Sequence, residues 1–262
     1  MAYQTRSVPA IARTKGMQIE QFGAGRPLLV LHGGGGLATV ETFARGLGDA
    51  FEVILPTHPG FDGTDRPAGI NGVKELAGGY ADIIAEAGLR EVIVIAFSMG
   101  GWIAAEMAAS FPQDIAGLVL VDAVGLTVPG ETVLDVFTTP PGDLPNFSFH
   151  RPDAFRIDPT ALSPERQAMM RANFEALAAY DQGHAMQDPD LASRLGAVAM
   201  PALVVWGESD RVATPAYGRA FAEAIPGCRF ETIAESGHLP QIEQPAALRS
   251  LLTSFVHELP PR

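Results

Sequence analysis

The stretch 92–106 constrains the fold of this chain more than any other. Its apolar, largely β-branched start, Val92–Ile95, predicts a strand that is buried on both faces. The strand stops at AFSMGG (96–101), and the Ala-rich run 102–109 is typical of a helix packed closely on a sheet. A tight turn between strand and helix leaves the hydroxyl of Ser98 exposed, in front of unpaired helix N–H groups. Taken alone, the pattern fits a nucleophilic serine and also a buried serine in an ordinary strand–helix turn, and the rest of the chain decides between them.

Composition narrows the class of protein. With 262 residues, 47% of them hydrophobic and 18% charged, the chain predicts one globular domain with a substantial core. The net charge of -12 argues against a nucleic-acid partner and against an anionic membrane surface. The single cysteine, Cys228, excludes an internal disulfide and a cysteine-based metal cluster, and we expect it to be buried. Neither a signal peptide nor a membrane-spanning run is recognisable, which predicts a cytoplasmic protein.

Four consecutive glycines, Gly33–Gly36, follow the predicted buried strand Pro27–Leu31 and His32. Such a run costs backbone entropy, which indicates a use for bare main-chain N–H groups. A phosphate cradle is one candidate, but the glycine-rich motifs of nucleotide-binding loops are missing. An oxyanion loop is the other candidate, and we favour it. His32 is an alternative general base, although at this position we expect it to order the loop.

These two segments resemble the α/β-hydrolase superfamily. The sequence AFSMG (96–100) is similar to the nucleophile elbow G-x-S-x-G of that family, and HGGG (32–35) is similar to its oxyanion motif. The resemblance implies that Ser98 is the nucleophile and that the N–H groups of Gly34 and Met99 form the oxyanion hole. Ala96 departs from the usual glycine, and its methyl group can be accommodated where φ stays negative.

The acid of a catalytic triad has one favoured and two alternative positions. The sequence WGESD (206–210), after a predicted strand, resembles the W-G-x-x-D of the family and implies Asp210 as the acid. Glu208 in the same loop is one alternative. Asp122, directly after the predicted strand Ile115–Val121, is the other, because some members of the superfamily place the acid there.

The histidine loop completes the resemblance. The sequence SGHLPQIEQP (236–245) follows the last predicted strand and is similar to the histidine loop of the superfamily, which implies His238 as the general base. The chain order Ser98, Asp210, His238 is the order of α/β-hydrolases and differs from the two protease orders.

The segment 125–199 differs from the rest of the chain. It is rich in proline, lacks a strong strand pattern and contains one clear helical segment, Glu165–Asp181. An insertion at this point resembles the cap of capped α/β-hydrolases, with a core made of 1–124 and 200–262. Four apolar residues there line a substrate site or form plain core: Met169, Met170, Phe174 and Met186. Two histidines of the segment, His150 and His184, are poor metal candidates without a carboxylate pattern.

The expected fold is therefore an α/β-hydrolase fold, a mostly parallel eight-stranded sheet flanked by helices, with an inserted and mainly helical cap. Strands at Ser7–Ala12 and Met17–Phe22 are predicted to form an opening hairpin.

The resemblance implies a serine hydrolase that cleaves a carboxylic ester or related acyl bond through an acyl-enzyme on Ser98. The expected substrate is a small to medium, partly apolar molecule, with no metal ion and no organic cofactor. Alternatives within the fold are a C–C bond hydrolase, a lactonase and a perhydrolase. From a different class, a ligand-binding receptor with a nearly silent triad is compatible. A monomer and a homodimer both fit the sequence.

Overall fold

The computed structural model describes residues 4–6, 17–156 and 161–260. The predicted strand at Ser7–Ala12 lies outside the described residues. A short strand, β1 (Gln4–Arg6), pairs antiparallel with β2 (Ile19–Gly23). The second strand of the predicted hairpin is thus present, and it begins two residues later than the sequence pattern suggests.

An eight-stranded sheet forms the centre of the protein. After β1 and β2, its strands are β3 (Arg26–Leu31), β4 (Phe51–Pro56), β5 (Val92–Phe97), β6 (Ile115–Val121), β9 (Ala202–Gly207) and β10 (Arg229–Ile233). The order across the sheet is β1-β2-β4-β3-β5-β6-β9-β10. β2 pairs antiparallel with β1 and with β4, and the other five pairs of the sheet are parallel. The predicted mostly parallel, eight-stranded sheet is confirmed.

Helices cover both faces of this sheet. Those of the described residues are α1 (Glu41–Arg45), α2 (Val73–Glu86), α3 (Met99–Ser110), α4 (Leu144–Ser148), α5 (Pro152–Phe155), α6 (Pro164–Asp181), α7 (Leu191–Leu195), α8 (Pro215–Glu223), α9 (Pro240–Glu243) and α10 (Pro245–Glu258). No described helix is both long enough and apolar enough to cross a lipid bilayer. The cytoplasmic location stays a prediction.

Alternate residues of the central strands enter two separate cores. In β5, Val94 and Ala96 pack into the core that α2, α3 and α8 cover, whereas Ile93 and Ile95 pack into the core of α1 and α10. Since both faces are covered, all six residues of β5 are apolar, as in other buried parallel strands. Four of these strands run parallel, namely β3, β5, β6 and β9, so their carboxyl ends meet at one edge of the sheet. Ligand sites of such sheets form at this edge.

Helix α3 lies against the sheet more closely than a helix with large side chains could. A Cβ added to Gly100 would lie 2.5 Å from the carbonyl oxygen of His32, and one added to Gly101 would lie 2.5 Å from the Cβ of Ala123. Small residues in this helix therefore bring its first turn close to the ends of β3 and β6. The predicted close packing of the Ala-rich helix is confirmed.

The segment 125–199, called the inserted segment below, contributes no strand to the large sheet among its described residues. It carries α4 to α7 and a two-stranded pair, β7 (Gly125–Leu126) and β8 (Gln187–Asp188). Helix α6 agrees with the predicted helical segment Glu165–Asp181 and begins one residue earlier. Arg194 of α7 fixes the segment to the core, since its Nε donates to Glu106 of α3 at 3.0 Å. Within the segment, its Nη2 donates to Asp188 at 2.6 Å.

Candidate active site

Ser98 occupies the sharp turn between β5 and α3. Its φ of 52° and ψ of -118° lie outside the favoured regions for a residue with a side chain. Such a conformation costs on the order of 1–3 kcal/mol and persists only where its surroundings impose it. Here the Ser98 N–H donates to Val121 O at 3.0 Å, while Ser98 O accepts from the N–H groups of Trp102 at 3.2 Å and Val124 at 3.3 Å. These bonds hold the elbow that the sequence predicts.

Ala96 fits into the elbow strand without a positive φ. It is fully buried in β5 and stands in register with Leu31 of β3 and Leu120 of β6. The sheet core therefore accommodates the methyl group of Ala96, the residue that replaces the first glycine of the G-x-S-x-G motif.

The three predicted triad residues form a continuous hydrogen-bond chain. The Oγ–H of Ser98 donates to His238 Nε2 at 2.9 Å, and His238 Nδ1–H donates to Asp210 Oδ2 at 2.8 Å. The other oxygen of Asp210 accepts from the N–H groups of Val212 at 2.8 Å and Ala213 at 3.2 Å. A carboxylate at Nδ1 fixes the imidazole tautomer that leaves Nε2 free to accept a proton from the serine.

Neither alternative acid has this position. Glu208 is exposed, and the described residues include no hydrogen bond between it and His238. Asp122 is fully buried, and its Oδ1 accepts from Gly207 N at 2.9 Å rather than from the imidazole. Burial, together with the negative charge of Asp210, raises the pKa of Asp122 well above its usual value.

The same residues could in principle attract a metal ion. Asp122, Asp210 and His238 each offer a ligand atom, and these atoms lie within 4.8 Å of one another. Both ring nitrogens of His238 are engaged, however, one with Asp210 and the other with Ser98. The imidazole therefore has no nitrogen left for a metal ion while its hydrogen bonds to Asp210 and Ser98 are intact.

The main chain around α4 holds both loops that carry the triad. The N–H of His238 donates to Ser148 O at 2.8 Å, and the N–H of Arg211, next to Asp210, donates to Phe147 O at 3.1 Å. One short helix of the inserted segment thus links the acid loop to the histidine loop.

Glu243 reinforces this link. Its carboxylate accepts from the N–H groups of Gly237 at 2.7 Å, His150 at 3.0 Å and Arg151 at 3.2 Å. His150 belongs to the inserted segment and its Nδ1 lies 2.8 Å from Ser209 Oγ. The glutamate of the histidine-loop motif is therefore an anchor for the loop, and His150 has a structural role here.

The glycine run passes between Ser98 and α6. A Cβ added to Gly33 would lie 3.0 Å from the Cβ of Ser98, and one added to Gly34 would lie 2.7 Å from Leu177 Cδ2. Side chains at these positions would therefore collide with the serine or with the helix. Met99 is the first residue of α3, so its N–H has no acceptor within the helix. Of the two residues predicted for the oxyanion hole, Met99 directly follows Ser98, and Gly34 directly follows Gly33, which lies beside Ser98.

A side chain of α6 fixes the far side of the glycine run. Asn173 Nδ2 donates to Asp62 Oδ1 at 2.9 Å and to Gly35 O at 3.4 Å, while Asp62 N donates to Asn173 Oδ1 at 2.7 Å. Asp62 Oδ2 in turn accepts from Leu37 N at 2.7 Å. Sequence reasoning missed this link, because Asn173 lies 111 residues from Asp62 and belongs to no motif.

Two fully buried histidines adjoin the glycine run. His32 Nδ1–H donates to Gly33 O at 2.7 Å, and His32 Nε2 accepts from His58 N at 3.0 Å. His58 Nε2–H donates to His32 O at 2.8 Å, and its Nδ1 accepts from the hydroxyl of Tyr80. Burial lowers the pKa of His32 to about 4 and that of His58 well below its usual value. The pair is therefore neutral and orders the loop, which agrees with the prediction for His32.

A cavity of about 300 Å³ opens above Ser98 and His238. The segments that line it are the glycine run, the elbow, the inserted segment and the histidine loop. Its side chains outside the glycines and the triad are Thr39, Phe97, Val124, Val133, Leu134, Val136, Leu144, Ser148, Met170, Asn173, Phe174, Leu177, Met186, Val212, Leu239 and Gln241. Of the four apolar residues for which the sequence left a substrate site and plain core open, three line the cavity and Met169 does not. None of these described lining residues is a lysine, arginine, aspartate or glutamate.

Comparison with known proteins gives a consistent result. A 2-hydroxymuconate semialdehyde hydrolase of Pseudomonas sp. (strain CF600) is 29% identical over 257 residues, which cover 92% of this chain and 90% of that protein. A thermophilic esterase from Thermogutta terrifontis superposes with a TM-score of 0.74 at 27% identity, covering 92% of this chain and 93% of the esterase chain. The enol-lactonase from Burkholderia xenovorans LB400 shares the fold, with a TM-score of 0.74 at 22% identity and coverage of 92% and 96%.

The family itself follows from the sequence match. The sequence model of the alpha/beta hydrolase family matches residues 28–251, a range that contains the glycine run, the elbow, the acid loop and the histidine loop. The match, the sheet order and the neighbours of known structure agree: this chain belongs to the α/β-hydrolase family.

Proposed function

We propose that this protein is a serine hydrolase that cleaves carboxylic esters through an acyl-enzyme on Ser98. The observation that carries the proposal is the hydrogen-bond chain from Ser98 through His238 to Asp210, which ends at the floor of an apolar cavity. Nucleophile, base and orienting acid are within hydrogen-bond distance of one another, as nucleophilic catalysis requires.

Acylation follows from this geometry. His238 Nε2 takes the proton of Ser98 as Oγ forms a bond to the ester carbonyl carbon, and Asp210 stabilises the imidazolium that results. The N–H groups of Gly34 and Met99 stabilise the negative charge on the former carbonyl oxygen. Loss of one such donor typically costs about 2.7–4 kcal/mol of transition-state stabilisation. The alcohol then leaves with the proton from His238.

Deacylation reverses these roles. His238 removes a proton from water while the water oxygen attacks the acyl carbon, and the proton returns to Ser98 Oγ as the carboxylic acid is released. No step of this cycle requires a metal ion or an organic cofactor.

The cavity favours an uncharged and largely apolar substrate. Its volume of about 300 Å³ lies at the lower end of the range for small-molecule sites, so a small to medium ester fits. We propose that the inserted segment acts as a cap, because α6 and the chain near α4 supply much of the apolar wall. A cap of this kind excludes water and strengthens the electrostatic interactions at the reacting carbonyl.

The charge of the cavity also bears on the C–C bond hydrolase alternative. Several relatives are named for 2-hydroxymuconate semialdehyde or for 2-hydroxy-6-oxo-2,4-heptadienoate, compounds that carry a carboxylate. A buried carboxylate needs a cation or several donors to offset its desolvation. The described lining residues of this chain include no lysine or arginine, so a carboxylate would depend on uncharged donors such as Gln241, which favours an ester or lactone without a carboxylate.

Covalent labelling tests the proposal directly. We expect intact-mass spectrometry after incubation with a fluorophosphonate to reveal one adduct, and peptide mapping to assign it to Ser98. Ser98→Ala is the matched control and should give no adduct. A panel of p-nitrophenyl esters should then show multiple turnovers, with short to medium acyl chains preferred over a dicarboxylate monoester. Ester turnover that survives in Ser98→Ala would disprove the mechanism, and ligand-induced stabilisation without turnover would favour the receptor alternative.

A further inference from the structure

Asp122 is a buried carboxyl group that the proposed reaction cycle does not use. It follows β6 directly, has no exposed surface and has a φ of 44°. Its Oδ1 accepts from Gly207 N at 2.9 Å, and its Oδ2 is buried without a conventional donor among the described residues. Asp210 and His238 each have a ligand atom within 4.8 Å of a carboxyl oxygen of Asp122.

The hydrogen bonds of the two carboxyl groups are unequal. Asp210 accepts three bonds, from His238 and from the N–H groups of Val212 and Ala213, so both of its oxygens already have a donor. Asp122 accepts only one, and the described ion pairs include none between it and a lysine or arginine. Two buried carboxylates at this distance cannot both be ionised without a compensating cation. The proton therefore belongs on Asp122.

We infer that Asp122 is a protonated carboxyl group whose Oδ2–H donates a hydrogen bond to the Asp210 carboxylate, and that it is a positioning residue for the triad acid. This inference rests on the proposed function and extends its chain by one member. Asp122 touches neither substrate nor the reacting atoms. It holds Asp210 through a bond separate from the one with His238, while the bond from Gly207 holds Asp122.

The surrounding charges agree with this assignment. Burial is the main cause that raises the pKa of Asp122, followed by the charge of Asp210, and Glu243 acts in the same direction. His238, the general base of the proposed cycle, faces Asp210 and lies near Asp122. A neutral Asp122 leaves the imidazole with one carboxylate charge beside it, and an ionised Asp122 would add a second.

The pH profile of kcat/KM distinguishes the two charge states. In Asp122→Asn, the amide oxygen can accept from Gly207 and the amide NH₂ can donate to Asp210, as the protonated acid does. We expect kcat within about threefold of the unmodified protein and an acid limb that does not move. Asp122→Ala lacks the donor and should lower kcat by about 10- to 100-fold, the range for a lost hydrogen bond to a charged group, with KM unchanged.

Three outcomes would overturn the inference. If the acid limb of Asp122→Asn moves down by about one pH unit or more, a negative charge beside His238 has been removed, and Asp122 was ionised. If Asp122→Asn is as slow as Asp122→Ala, the hydrogen-bond donor is not the property that matters. Full activity of Asp122→Ala would show that the contact is not used. Should Asp122→Ala fail to fold, the profile of Asp122→Asn decides alone.

Infrared spectroscopy separates this inference from the proposed function. The difference spectrum between the unmodified protein and Asp122→Asn at neutral pH should contain the C=O band of a protonated carboxyl group. This measurement needs no turnover, so it still applies if no ester is hydrolysed. Absence of the band would overturn the inference even if the ester hydrolase proposal holds.

Discussion

The two groups of buried histidines in this protein have different partners. His238 is 8% exposed, at the wall of the cavity, and lies between a carboxylate and a serine hydroxyl. His32 and His58 have no exposed surface, and their hydrogen bonds go to main-chain groups, to each other's residues and to the hydroxyl of Tyr80.

This difference decides what each imidazole can do. A carboxylate at one nitrogen stabilises the charged ring, and access to the cavity lets the other nitrogen exchange a proton with a reactant. His32 and His58, called the sealed pair below, have neither a carboxylate partner nor access to the cavity, so burial holds both rings in the neutral form. Residue type and depth are therefore not enough to identify a general base, and the counter-charge and the opening to the cavity are the features that separate the groups.

Removal of the accessible imidazole should have the largest effect. We expect His238→Gln to lower kcat/KM for a p-nitrophenyl ester by about 10⁵- to 10⁶-fold, because nucleophile and base act as a unit. His257→Gln is the matched control, since His257 is exposed on α10 and should keep full activity. Circular dichroism should show both variants folded. Activity of His238→Gln within a hundredfold of the unmodified protein would contradict the assigned role.

Removal of the counter-charge should come second. Asp210→Asn keeps the shape of the side chain but favours the wrong imidazole tautomer, and we expect kcat to fall by about 10⁴-fold. Glu208→Gln changes the other carboxylate of the same loop, which is exposed, and should stay within twofold. Steady-state kinetics on both variants measures the contrast, and an equal loss in the two would mean that the loop charge, not the bond to His238, is what matters.

A change in the sealed pair should affect stability and spare catalysis. Tyr80→Phe removes the hydroxyl that donates to His58 Nδ1 and leaves a buried acceptor without a partner. We expect the free energy of unfolding to fall by about 1–3 kcal/mol, with kcat/KM within threefold below the melting temperature. Chemical denaturation and ester hydrolysis measure the two effects. A loss of activity without a loss of stability would assign the buried pair to the chemistry.

The sealed pair should also give stability a pH dependence. Between pH 6 and pH 5, His32 and His58 are protonated in the unfolded chain but stay neutral in the folded chain. The free energy of unfolding therefore falls as the pH falls. Asp122 acts in the opposite direction, because its proton is bound only in the folded state. Each proton contributes about 1.4 kcal/mol per pH unit. The three groups together should lower the free energy of unfolding by about 1.4 kcal/mol for each pH unit that the pH is lowered. In Asp122→Asn, where only the two histidines act, the decrease should be about 2.7 kcal/mol per pH unit.

Denaturant unfolding at several pH values checks this last prediction. His257→Gln again serves as the control and should not alter the slope. An equal slope for the unmodified protein and Asp122→Asn would mean that Asp122 binds no extra proton on folding.

The features that sequence alone predicted are those encoded in short, continuous stretches. Ser98 follows six apolar residues and precedes two glycines, so strand, turn and helix can each be recognised locally. Asp210 and His238 likewise lie in the loops that follow β9, which ends at Gly207, and β10, which ends at Ile233. Because parallel strands bring their carboxyl ends to one edge, three distant stretches predict one site.

Features that depend on docking between distant segments were not predicted. His58 meets Tyr80 only because α2 packs beside the loop after β4, and Asn173 meets Asp62 only because α6 lies over the glycine run. Met170 and Phe174 carry no signal that distinguishes core from cavity wall, and they are 47% and 38% exposed. Contacts of this kind are set by tertiary packing, which local patterns do not contain.

The bond network of Asn173 limits how substrate preference can be changed in this protein. Helix α6 forms part of the cavity wall, and the same helix holds the glycine run through Gly35 and Asp62. Exchange of α6 for the corresponding helix of another family member would therefore alter the glycine run as well as the cavity. A chimaera made with a new cavity wall needs to keep Asn173, or to replace the Asp62 loop together with its new partner, if the glycine run is to keep its position.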